Sequence, residues 1–105
     1  MTTDATPDLE ALCAELAEGL DEITSSSDGA TTSYSRGDVA FARVAGSTLD
    51  VRLPGDIAEA ALRTQDTANA TERGWVRFTP ADSERHVTDR AEAWFYTGWR
   101  HAERT

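Results

Sequence analysis

The chain of 105 residues contains no lysine. All 10 of its basic residues are arginines, set against 19 Asp and Glu, and the formal net charge is −9. Nucleic acid is an unexpected partner for such a surface, because holding a phosphate backbone takes a net basic face. Cysteine is nearly absent: Cys13 stands alone, which excludes an internal disulfide and a cysteine-based metal site. It lies in LEALCAEL, on the apolar side of a helical pattern, where a lone thiol reads as a small buried hydrophobe. No apolar run approaches the roughly 18 residues of a membrane-spanning helix. The opening residues, MTTDATPDLE, are too polar and acidic for a signal or transit peptide. The expectation is a cytoplasmic protein without membrane association.

Known catalytic and ligand motifs are missing as well. The glycines are scattered at turns rather than gathered into a phosphate loop, and no His-x-x-x-His or Ser/His/Asp spacing occurs. His86 and His101 lie 15 residues apart on the last helical pattern, too far to share one ion. His86 sits near Asp89 and Arg90 on a polar side and reads as part of a solvated helix face. No metal, cofactor or catalytic residue is expected. RGD at 36–38 reads as a turn leading into a strand, and NAT at 69–71 fits a glycosylation sequon that should stay unmodified without export.

What is present is acid and threonine. Acidic, lysine-free, threonine-rich composition resembles that of proteins from salt-accumulating haloarchaea. The physics agrees: in molar salt the Debye length falls to about 3 Å, so an acidic surface no longer repels itself. A halophilic chain of this kind should unfold at low salt.

One domain over 1–105 is expected, with 1–5 and 102–105 frayed. It should bury about 65% of its unfolded surface, enough for one modest core. Thr6 and Pro7 read as a helix start, and Leu9, Leu12, Cys13, Leu16, Leu20 and Ile23 continue one apolar stripe to about residue 24. TSSSDGATT reads as a loop. Residues 39–45 and 48–53 read as a hairpin about Gly46 and Ser47. That turn pairs Val44 with Leu49, Arg43 with Asp50, Ala42 with Val51 and Phe41 with Arg52. A short helix capped by Asp56 follows, then a loop over 65–73 and a strand at Gly74–Pro80. The last helix, capped by Thr79 or Asp82, buries Val87, Ala91, Trp94, Phe95 and Gly98. The order is helix-strand-strand-helix-strand-helix. The fold class is α+β, a small, mostly antiparallel sheet with helices on one face.

STLDVRLP and GWVRF, separated by a short helix and followed by an aromatic-rich helix, resemble a family of small domains known as the luciferase-domain family. The likeness covers roughly residues 36–100 and rests on Leu49–Pro54 and Gly74–Phe78. Relatives with histidines in the first strand have Arg43 and Ala45 as their counterparts here, and WFYTGW replaces a closing Ser-Tyr. The resemblance implies the fold and no light emission. The element order is also similar to that of YjbR-like domains.

One candidate surface follows from strand parity. Arg43, Arg52 and Arg77 should project from a single sheet face, with Phe41 and Trp75 beside them. Guanidinium groups among flat rings can hold a small anionic ligand. They can also anchor self-association, or pair with Asp50 and stay solvated. In the final helix, Tyr96 or Trp99 should remain exposed. The reading is a binding or interaction module that uses the sheet face or the aromatic C-terminal helix. An enzyme acting on an anionic substrate is the alternative, and a DNA-binding regulator a more distant one.

Overall fold

Helical spacing of Leu9, Cys13 and Leu16 does form a helix, but a shorter one than the apolar stripe suggests. The computed structural model describes residues 9–46, 48–64, 67–70, 72, 74–79 and 85–103. Helix α1 spans Leu9–Glu18. It closes where the Gly19 N–H donates to the Leu16 carbonyl at 3.1 Å and the Leu20 N–H to that of Ala17 at 3.2 Å, the tightened i to i−3 pattern of a helix end. Glu22, with φ at 63°, then reverses the chain. The expected continuation to residue 24 is therefore corrected: Leu20 and Ile23 pack against the core from outside the helix. The caps expected at Thr6 and Asp82, and the frayed 1–5, lie outside the described residues.

Six strands follow the α+β pattern: β1 Ile23–Asp28, β2 Thr31–Arg36, β3 Val39–Ala45, β4 Thr48–Arg52, β5 Thr67–Asn69 and β6 Trp75–Phe78. Helix α2 spans Gly55–Ala61 and α3 Arg85–Glu103. The sheet runs β1-β2-β3-β4-β6-β5, and every pairing is antiparallel. Three of these strands were not expected. TSSSDGATT is not a loop: it closes a hairpin in which Asp28 faces Thr31, and Gly29 takes a φ of 65°, the positive value a two-residue turn needs at its first position. Gly37 and Gly46 open the next two turns in the same way. β5 likewise replaces part of the expected 65–73 loop. Asp56 is not the cap of α2. Pro54 takes that position without a side-chain bond, and Asp56 lies in the first turn, where its charge suits the helix dipole.

Register decides which side chains face the helices. Ala42 pairs with Val51, Arg43 with Asp50 and Val44 with Leu49, as the hairpin spacing predicts. Phe41 does not pair with Arg52. Tyr34 faces Ala42 while Ser35 faces Ala40, so Phe41 is the extra residue of a β-bulge. A bulge turns two successive side chains toward one side, and Phe41 joins Ala42 in the interior, fully buried.

The core lies between this inner face and the helices. Phe95 of α3 meets Tyr34 at 5.4 Å and Phe41 at 5.2 Å, both edge-to-face, and Trp94 meets Phe78 at 4.9 Å. Val87, Ala91 and Ala102 continue the α3 stripe, so Ala102 is packed rather than frayed. At Gly98 α3 packs tightly against the sheet. A Cβ there would stand 2.7 Å from Val51 Cγ1 and 3.3 Å from both the Arg52 carbonyl and Phe41 Cδ2. Gly98→Ala gains about 1 kcal/mol of helix propensity, but a stiff valine and a backbone oxygen must give way, at roughly 1–3 kcal/mol. A net loss of about 1 kcal/mol in urea denaturation is expected; a more stable variant would show that α3 moves off freely.

Candidate functional site: the open sheet face

The helices pack on the inner face, so the outer one is left to strand parity. Across it runs one row from edge to edge: Ser26, Ser33, Arg43, Asp50, Arg77 and Ala68, each paired with the next. Arg52 and Trp75 form the next row on β4 and β6. The arginines at 43, 52 and 77 and Trp75 thus share this face. Phe41 does not, because the bulge sends it to the opposite side.

Each described charge in the row is engaged. Asp50 takes Arg77 in a fork, Nε–Oδ1 at 2.9 Å and Nη2–Oδ2 at 3.0 Å. That hydrogen bond, together with the carboxylate charge, pushes Arg77 above its ordinary range. Arg43 does not bond the residue opposite it. Its Nη1 donates to Glu72, and its guanidinium lies 4.2 Å above the Trp75 ring. Trp75, 6% exposed, is held at the backbone by the turn before it: the Trp75 N–H donates to the Glu72 carbonyl at 3.2 Å and the Ala70 N–H to that of Trp75 at 3.1 Å. Arg52 is half-buried and has contacts of its own. Thr31, Thr48 and the flanks of Arg43, Asp50 and Arg77 enclose a shallow recess of about 210 Å³. An anion entering it must compete with Asp50 and Glu72 for guanidinium groups already neutralised.

A second arginine cluster was not foreseen. Arg36 stacks 3.9 Å over Trp99, donates to the Trp99 carbonyl at 3.2 Å and pairs with Glu22 at 3.2 Å. The Trp99 indole N–H in turn donates to the Asp21 carbonyl at 3.0 Å. The RGD segment is thus the end of β2 and its turn, tied to α3, and Trp99 is fastened rather than exposed. Tyr96 is 41% exposed. Glu72 and the Arg36–Trp99 pair had no signal in the sequence, since neither contact follows a strand or helix period. A recess of about 430 Å³ lies between α2 and α3 against Pro54, Ile57, Thr97, Arg100 and His101. Asp89 is exposed and Arg90 lies 5.0 Å over Phe78. The side chain of His86 is outside the described set. Among the described residues no three His, Cys, Asp or Glu groups are placed to hold a metal ion, and no helix is long and apolar enough to cross a membrane.

Fold and face together define a two-layer α+β domain with one helix-covered sheet surface and one that no described helix covers. No family model matches the chain, and the comparisons with curated proteins and with solved structures find no match.

Proposed function

We propose that this chain is a binding module that pairs with a second copy of itself through the open sheet face. The charge pattern of that face carries the reading. On its central strands and adjoining turn stand Arg43, Arg52 and Arg77 against Asp50 and Glu72, a patch without acid excess on a chain of net charge −9. Two copies meeting through the α1 side, where residues 9–35 hold six acids and no base, bring acid against acid. Meeting here, a two-fold axis can set Arg43 and Arg77 of each copy against Asp50 and Glu72 of the other, the self-complementarity an isologous contact requires. Arginine is also enriched among interface anchors, and Arg43 is held in place over the Trp75 ring. Concentrated salt, which screens the remaining acidic surface, is the medium this reading favours. The segments behind the luciferase-domain likeness, Leu49–Pro54 and Gly74–Phe78, cover most of β4 and all of β6, which neighbour each other on this face.

Ala68 is exposed at the end of the outer row, so Ala68→Arg adds bulk and like charge beside Arg77 without removing a contact. Sedimentation velocity in about 2 M KCl should show a concentration-dependent dimer for the native chain, weakened about tenfold or more in the variant. A native chain that stays monomeric at millimolar concentration overturns the reading. A small anionic ligand in the 210 Å³ recess is the second reading. The two threonines beside Arg43 and Arg77 favour it, and saturable tryptophan quenching by a small anion, lost in Arg77→Ala, would support it.

A further inference from the structure

The strand β1 has one partner, β2, and stands at the edge of the sheet. Its outer backbone row is therefore open among the described residues, over a six-residue length of Ile-Thr-Ser-Ser-Ser-Asp. Edge strands are commonly blunted by lysine, proline or a bulge; β1 has none of these, and its register with β2 is unbroken. Helix α1 does not roof it. Every β1 residue after Ile23 is exposed, and between α1 and the inner face of β1 lies a recess of about 300 Å³. Ala14, Ala17 and Glu18 form its helix wall, Ile23 and Ser25 its strand wall, and Tyr34 lies below.

An open strand edge beside a helix-walled recess suits a particular occupant. A chain laid antiparallel or parallel to β1 would satisfy the unpaired backbone groups, and its alternate side chains would fall into the recess. Small alanines on the helix wall leave room for branched apolar side chains. Charge narrows the choice further. Glu18 stands on the helix wall and Asp28 at the end of β1, while Glu22 is already paired with Arg36 and Glu10 accepts from the Gly46 N–H. We propose that the α1/β1 edge binds an extended segment of a partner protein in which apolar residues alternate with arginine or lysine, by adding it to the sheet as a seventh strand.

The probe is a blocked synthetic peptide, Arg-Val-Arg-Val-Thr-Val-Arg, with the same sequence carrying Glu for Arg as its control. In about 0.5 M KCl, where only contact-range charge pairs survive screening, fluorescence anisotropy should show saturable binding of the basic peptide. It should bind about tenfold or more tighter than the acidic one. Amide hydrogen exchange should slow at Thr24–Ser27 and not at β5. Ala17→Trp fills the recess and should abolish binding while leaving the circular dichroism spectrum and the self-association of the native chain intact. Ala68→Arg should bind the peptide unchanged, which separates this site from the open face. Absence of saturable binding, equal affinity for the two peptides, or protection elsewhere than β1 overturns the proposal. So does protection of β1 that rises with protein concentration alone, since a second copy would then hold the edge.

Discussion

Phe95→Ala is expected to remove about 3–5 kcal/mol of stability, the usual cost of deleting a fully buried aromatic ring. The ring is completely buried and touches Tyr34 on β2 and Phe41 on β3 edge-to-face, so its loss opens a cavity bordered by two strands and a helix. A domain of this length has a total stability of roughly 5–15 kcal/mol, so the variant should melt far below the native chain or be unfolded at room temperature. Urea denaturation followed by far-ultraviolet circular dichroism gives the number. Phe95→Leu, which refills most of the volume, should recover more than half of it. A loss below about 1 kcal/mol for Phe95→Ala would mean that α3 does not hold the sheet through this ring.

The second large effect is alkaline. Burial pushes the Cys13 thiol from its ordinary 9.0 up to about 12, because a thiolate in the apolar interior would lose its hydration. The unfolded chain ionises near 9 while the folded chain keeps its proton. Stability from this group is therefore complete below about pH 9 and is lost as pH rises toward 12, by at most about 1.4 kcal/mol per pH unit. Burial raises Tyr34 as well, helped by the Cys13 and Glu10 charges, and it acts in the same direction at higher pH. Unfolding free energies measured from pH 8 upward should fall steeply for the native chain and less for Cys13→Ala. Parallel curves for the two would contradict it.

The sequence made part of this architecture readable for a clear reason. Ala42, Val44, Leu49 and Val51 alternate with charged or polar neighbours, so one face of the hairpin is apolar and its register follows. The α3 stripe from Val87 to Gly98 is legible in the same way, through helical spacing and burial. β1 left no such trace. Ile-Thr-Ser-Ser-Ser-Asp is held by backbone pairing and buries almost nothing, and a strand without an apolar face has no period to detect. The candidate face was legible at Arg43, Arg52, Trp75 and Arg77, where parity is regular. It failed at Phe41, where one extra residue breaks parity, and at Glu72, which reaches Arg43 only because its turn folds back beside Trp75.

The bulge at Phe41 constrains chain length more than chain composition. Remove one residue at position 40 and the strand straightens: Phe41 would stand opposite Ser35, its ring swung out to water and beyond reach of Phe95. Substitutions at 38 to 40 are local events by comparison. Along that short stretch, the tally of residues is what keeps an aromatic ring indoors.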